Sequence, residues 1–177
     1  MKTIALDMDE VIVDLLPHFY DAYEERTGRR LTEADLLDIT EGRTPGGEDF
    51  TAVLNTKGFF RHLRPMPGAL DALRVLRKHY RLYLVTAATQ FPNSLEDKVA
   101  WIGEHLPWVH WRQIVLCGDK SIIRADYMLD DHANNLESFT GTPLLFDAWH
   151  NRREMRYPRM RDWGAVMSYF NDVDDDQ

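Results

Sequence analysis

Ile4-Ala5-Leu6-Asp7-Met8-Asp9-Glu10-Val11-Ile12 decides the fold: a short apolar run that delivers two carboxylates, spaced i and i+2, to the end of a β-strand. Side chains alternate along a strand, so Asp7 and Asp9 would share one face if the strand continued. Folding alone gives no reason for two like charges there, because buried carboxylates are costly unless paired or bound to a cation. A hard divalent cation such as Mg²⁺, which prefers oxygen ligands, would remove that conflict. The same pair could then supply a nucleophile and an acid/base for phosphoryl transfer. Asp-x-Asp also occurs in loops and helix caps, so the rest of the chain has to carry the reading.

The 177 residues are 44% hydrophobic and 11% aromatic, enough for one ordered domain with a real core. A formal net charge of −8 argues against a nucleic-acid surface, while a small anionic substrate needs only a local positive pocket. Basic residues concentrate only at Arg152, Arg153, Arg156, Arg159 and Arg161. A single cysteine, Cys117, excludes an internal disulfide framework and fits a reducing cytosol; beside Ile114, Val115 and Leu116 its thiol is expected to be buried and inert. Asp7, Asp9 and Glu10 interrupt the N-terminal apolar run, which leaves no secretory h-region. No stretch approaches the roughly 20 apolar residues of a membrane span. The seven histidines show no His-x-x-x-His spacing, so no zinc site is expected. The expected state is a monomer or a homodimer.

Outward from the opening strand (Thr3–Leu6), strand-like runs recur at Leu82–Val85, Ile114–Leu116, Tyr127–Leu129 and Leu144–Phe146. Helical spacing lies between them, at 69–80, 93–106, 134–139 and 163–170. Short unalternated strands joined by helices predict an α/β fold: a three-layer, doubly wound parallel sheet. The region 15–64 breaks the rhythm. It reads as a helix over 15–27, a second helix opened by the weak capping box Thr32-Glu33-Ala34-Asp35, a Gly/Pro-rich link (Gly42-Arg43-Thr44-Pro45-Gly46-Gly47), and a short helix before Lys57. It is too long for a simple crossover and predicts a helical cap inserted after the first strand. The expected division is a catalytic core of 1–14 and 65–171, a cap of 15–64 with hinges near Asp14 and Arg64, and an acidic tail of 172–177.

Ligands of open α/β sheets bind at the carboxyl ends of the strands. Those ends carry Asp7 and Asp9, then Thr86, then Lys120 after Gly118-Asp119, then Asp130-Asp131. Two acidic pairs, a hydroxyl and an ammonium at successive strand ends are much harder to assign to accident than any one of them. The set resembles the haloacid dehalogenase (HAD) superfamily of phosphohydrolases, with Asp7-Met8-Asp9, Thr86, Lys120 and Asp130-Asp131 matching its four motifs. More narrowly, Gly58-Phe59-Phe60, Pro65-Met66-Pro67-Gly68-Ala69, Ala125-Asp126 and His150-Asn151 are similar to the 5′(3′)-deoxyribonucleotidase family.

The resemblance implies a Mg²⁺-dependent phosphomonoesterase acting on nucleoside monophosphates, deoxyribonucleotides first. Asp7 would attack phosphorus to form an aspartyl-phosphate, and Asp9 would serve as acid and then base. Asp7, the Asp9 carbonyl and Asp131, supported by Asp130, would hold Mg²⁺; Thr86 and Lys120 would bind phosphate. Leu15, Phe59 and Phe60 stand where the family contacts the nucleoside. Glu10 replaces a common Gly and Ala87 a frequent Ser, and the segment 38–43 lacks an aromatic pair. Two alternatives stand beside this reading: the same chemistry on another small phosphometabolite such as a sugar phosphate, and a phospho-acceptor signalling module. The second is disfavoured because its phosphorylated Asp typically lies on a later strand than the acidic pair.

Overall fold

In the computed structural model the described residues are 1–32, 34–36 and 47–175; the segment 38–43 and the Gly/Pro-rich link up to residue 46 lie outside them. In chain order the elements are β1 (Thr3–Leu6), β2 (Val13–Asp14), α1 (Leu16–Thr27), α2 (Gly47–Leu54), β3 (Arg64–Pro65), α3 (Ala69–Leu76), β4 (Arg81–Thr86) and α4 (Ser94–His105). They continue with β5 (Ile114–Leu116), β6 (Tyr127–Asp130), α5 (Ala133–Glu137), β7 (Thr142–Phe146), β8 (Arg159–Met160) and α6 (Trp163–Asp175).

Six strands form one sheet in the order β5-β4-β1-β6-β7-β8, with every neighbouring pair parallel. β1 lies between β4 and β6, with Leu6 opposite Leu84 on one side and Leu129 on the other. The chain winds outward from β1 in both directions, which opens a crevice beyond the carboxyl end of β1. The two faces bury separate cores. Ile4, Leu6, Leu84, Leu129 and Phe146 pack with Trp101, Trp163 and Phe170 from α4 and α6. Ala5, Val85, Met128 and Leu145 pack with Leu136 of α5 and Phe139. Alternate residues of one strand therefore serve opposite layers, which is why the strands read as continuous apolar runs.

Two-residue strands are too short to leave an alternation signal, and the sequence did not announce three of them. β8 extends the sheet edge. β2 and β3 form an antiparallel ribbon, Val13 opposite Pro65 and Asp14 opposite Arg64, through which the helical excursion leaves and rejoins the core. Two fully buried indoles fix its ends: Trp163 Nε1 donates to Val11 O at 2.8 Å, and Trp101 Nε1 donates to Leu63 O at 2.7 Å. The Thr32–Asp35 capping box forms, Asp35 N donating to Thr32 Oγ1 at 3.3 Å and Thr32 N to Asp35 Oδ2 at 2.8 Å. The last helix, expected to stop at Phe170, continues to Asp175, so the acidic end is helical that far.

Gly141, ahead of β7, is required by close approach: a Cβ there would lie 2.5 Å from Ala125 O and 2.6 Å from Asp126 O, both backbone. Gly141→Ala is expected to destabilise the fold by about 1–3 kcal/mol. Gly103→Ala in α4, where a Cβ meets none of the described residues within 4 Å, should be neutral or stabilising. Thermal unfolding of the two variants checks the contrast, and equal melting temperatures would contradict it.

Candidate active site

Asp7 is the first residue past β1, where its N–H still donates to Leu129 O at 2.9 Å. The strand does not continue as the i, i+2 argument supposed. Met8 O accepts Ile12 N at 2.8 Å and Val13 N at 2.9 Å, and Glu10 takes a left-handed φ of 56°. This tight turn, not strand alternation, brings Asp7 and Asp9 into the same cavity. Glu10 also reaches forward, its Oε1 accepting the N–H groups of Leu15 and Leu16 at 2.9 Å each at the start of α1.

Lys120, 3% exposed, stands between two carboxylates, its Nζ 2.6 Å from Asp7 Oδ1 and 2.6 Å from Asp130 Oδ2. The other Asp130 oxygen accepts His132 N and Asn135 Nδ2, both at 2.9 Å. Asp131 is buried beside it. Its Oδ2 lies 2.7 Å from His150 Nε2 and its backbone carbonyl accepts Asn151 Nδ2 at 2.7 Å. Among the described residues Asp131 Oδ1 has no partner, nor has Asp9 Oδ1. Asp7, Asp130 and Asp131 present ligand atoms within 4.8 Å of one another, so they could hold a metal ion.

Sequence reasoning missed Lys98. It projects from α4, 2% exposed, with Nζ 2.5 Å from Asp9 Oδ2, 2.9 Å from Thr86 Oγ1 and 4.6 Å from the Phe60 ring centre. Thr86 is fully buried, and its hydroxyl accepts from that ammonium. The available signal was a lysine on the apolar face of α4, one turn before Trp101 and Ile102 and buried with them. Asn135 was missed as well, and it left no comparable mark.

The charges split the acidic pair. Burial pushes the Asp7 carboxyl up, but Lys120, with Lys98 behind it, outweighs burial and holds it below the ordinary range. Burial raises Asp9, and Asp7 adds to the rise against the pull of Lys98. Burial also lifts Asp130 and, further, Asp131. His150 is lowered by its burial, although Asp130 and Asp7 oppose this. Two carboxyls whose proton affinities are driven apart can divide acid and nucleophile roles between them.

The cavity has a volume of about 450 Å³. Leu15, Phe50, Leu54, Phe60, Phe91 and Trp149 line its apolar side; Asp7, Asp9, Lys98, Lys120, Asp131 and His150 line its polar side. Phe59 does not line it. Neighbouring residues of the short helical turn Phe59–His62 point different ways, and the Phe59 ring packs on His18, Phe19 and Phe60. Of the three expected nucleoside contacts, Leu15 and Phe60 therefore reach the cavity.

Residues 1–171 match the family described as 5′ nucleotidase, deoxy (Pyrimidine), cytosolic type C protein. The chain belongs to this family. It is an enzyme, a phosphoric monoester hydrolase. It is 39% identical over 167 residues to the 5′(3′)-deoxyribonucleotidase of Bacillus subtilis (strain 168), covering 93% of this chain and 96% of that protein. It is also 39% identical over 173 residues to a Staphylococcus aureus (strain Mu50 / ATCC 700699) protein provisionally given the same name, covering 97% and 96%. A HAD hydrolase, family IA, variant 3 from Entamoeba histolytica HM-1:IMSS has a similar structure at 11% identity, with a TM-score of 0.58 and coverage of 97% and 100%. The family's fold is thus the HAD fold expected from the four strand ends. Among the described residues no helix is long and apolar enough to cross a membrane.

In this member of the family Glu10 is a pH-sensitive support. Burial pushes its carboxyl up to about 7 against the pull of the Leu16 and Leu15 amides, with Asp14 and Asp9 adding to the rise. Between pH 4.5 and about 7 the folded chain keeps a proton that the unfolded chain has released. Glu10 thus lends stability that is complete below pH 4.5 and lost as the pH rises through 7. The stability of the native chain minus that of Glu10→Gln should fall across this window, on the order of 3 kcal/mol. Urea unfolding at several pH values measures it, and a difference independent of pH would contradict it.

Proposed function

We infer that the protein is a Mg²⁺-dependent phosphomonoesterase that dephosphorylates nucleoside monophosphates, 5′(3′)-deoxyribonucleotides first. One observation carries the chemistry: two carboxyls face one cavity, Asp7 with the Lys120 ammonium 2.6 Å away to favour its anion, and Asp9, which burial pushes up against the pull of Lys98, placed to carry a proton. Asp7 attacks phosphorus and the ester P–O bond breaks, with Asp9 giving its proton to the departing oxygen. Water then attacks the aspartyl-phosphate, Asp9 takes the water's proton, and phosphate leaves Asp7. Lys120, on the cavity wall, binds the phosphoryl oxygens; Thr86, expected to do the same, is fully buried against Lys98 and supports the site from behind, and Lys98 holds both Asp9 and Thr86 in place.

A cation fits the donor set. Asp7, Asp130 and Asp131 are three buried carboxylates with Lys120 as the ammonium between two of them, and Asp131 Oδ1 lacks a partner among the described residues. Hard oxygen donors of this kind suit Mg²⁺. Both Asp130 oxygens are already engaged, which favours Asp131, with Asp7 and the Asp9 carbonyl, as the direct ligands. When bound, the cation would neutralise charge on the phosphoryl group.

The apolar wall, with Leu15 and Phe60, suits a sugar and base. Residues 15–64 act as a cap on the core of 1–14 and 65–171, turning about the β2–β3 ribbon to exclude water. The family name and the nucleotidase relatives support the substrate class. The buried lone thiol Cys117 supports a cytoplasmic setting.

Phosphate release from dUMP, dTMP, ribonucleotides and sugar phosphates tests the reading. Deoxyribonucleotides should rank first, and EDTA or Asp7→Asn should each remove at least about a hundredfold of activity. Faster turnover of sugar phosphates would overturn the substrate class, and full activity in EDTA would overturn the role of Mg²⁺. Lys98→Met should retain the fold, verified by its melting temperature, while losing on the order of a hundredfold in turnover. Unchanged turnover would refute its positioning role.

A further inference from the structure

Asp131 follows β6 with its two oxygens in different circumstances. Oδ2 meets His150 Nε2 at 2.7 Å, while Oδ1 is buried without a partner among the described residues. A carboxylate at a cation is an acceptor only, so the ring proton sits on Nε2 and donates to Oδ2. The donating ring has little freedom. Its side chain is 8% exposed, the His132 ring stacks on it 4.3 Å away and 19° from parallel, and the Trp149 ring meets it at 88° with centres 5.2 Å apart. The next residue ties the turn to the same aspartate: Asn151 Nδ2 donates to Asp131 O at 2.7 Å and to Phe146 O at 2.8 Å, and its Oδ1 accepts from Arg159 Nη1 at 2.8 Å.

We propose that His150 is a positioning residue that sets the cation preference of the site. By occupying Oδ2 it confines Asp131 to a single oxygen, which selects Mg²⁺ against the larger Ca²⁺. Calcium takes six to eight oxygens at about 2.3–2.6 Å and accepts both oxygens of one carboxylate, whereas magnesium demands a near-ideal octahedron at about 2.0–2.1 Å. The two oxygens of a carboxylate lie too close together for adjacent corners of that octahedron.

The neighbouring carboxylate is closed in the same manner. Asp130 Oδ2 accepts from Lys120 Nζ at 2.6 Å, and its Oδ1 accepts from His132 N and Asn135 Nδ2 at 2.9 Å each. Neither member of the pair has two oxygens to turn toward one ion. A hydrogen bond that merely satisfied a buried carboxylate would leave the order of cation affinities alone; one that fixes how many oxygens Asp131 offers changes that order. The proposal rests on the reading of Asp7, Asp130 and Asp131 as the cation site.

Isothermal titration calorimetry of the EDTA-stripped full chain, with Mg²⁺ and separately with Ca²⁺, tests it in the absence of substrate. The native chain should bind Mg²⁺ more tightly than Ca²⁺. His150→Phe keeps an aromatic ring beside His132 and Trp149 but removes the donor, and should shift the ratio of the two dissociation constants toward Ca²⁺ by at least about tenfold. His150→Gln, whose amide can donate to Oδ2, should return most of that shift. An unchanged ratio in His150→Phe, an equal shift in His150→Gln, or a native chain that binds Ca²⁺ at least as tightly as Mg²⁺ would overturn the proposal. The last of these needs no variant, so the proposal stays open to refutation if His150→Phe fails to fold. A native chain that binds neither cation would overturn the cation-site reading itself, and this proposal with it.

Discussion

The Lys120 ammonium, 2.6 Å from both Asp7 and Asp130, is the interaction on which the rest of the site depends. Without it, β1 and β6 would end in buried like charges, and breaking a buried ion pair by removing one partner costs about 3–5 kcal/mol. Lys120 stands at the start of a short helical turn between β5 and β6, with Asp119 capping that turn. Its position therefore requires the sheet order that puts β6 next to β1. The charges that assemble the strand ends also set the proton affinities there. Asp7 is held anionic through Lys120, and Asp9 answers to Lys98 on another helix.

This arrangement explains why α4 and the excursion after β1 belong to the site. α4 carries Lys98 to Asp9 and Thr86, and its Asp97 accepts Gly58 N at 2.9 Å while Trp101 holds Leu63. These contacts bracket the turn that aims Phe60 into the cavity. Glu10 joins the turn after β1 to the first amides of α1. Packing, charge and cavity shape are thus set by the same few side chains.

Much of this was legible in the sequence. Five of the six strands of the main sheet announced themselves as apolar runs, and their carboxyl ends pointed to Asp7, Asp9, Thr86, Lys120, Asp130 and Asp131, of which Asp7, Asp9, Lys120 and Asp131 line the cavity. Local patterns could not supply what depends on tertiary approach. β2, β3 and β8 are two residues long and carry no period. Lys98 reads as one more helix lysine until Asp9 is seen opposite it. His132 and His150 are eighteen residues apart in sequence and stack only because both follow strands that end side by side. Phe59 and Phe60 look equivalent in sequence, and only the local turn shows which one faces the cavity.

The central claim is that Asp7, kept ionised by Lys120, is the group that takes the phosphoryl group. The measurement that tests it most directly is acid quenching during turnover of dUMP with Mg²⁺, followed by peptide mass spectrometry to locate the acid-stable acyl phosphate. The account predicts one phosphoryl group per chain, on Asp7, absent without substrate. Turnover with no phosphorylated protein, or with the label on any other residue, would contradict it.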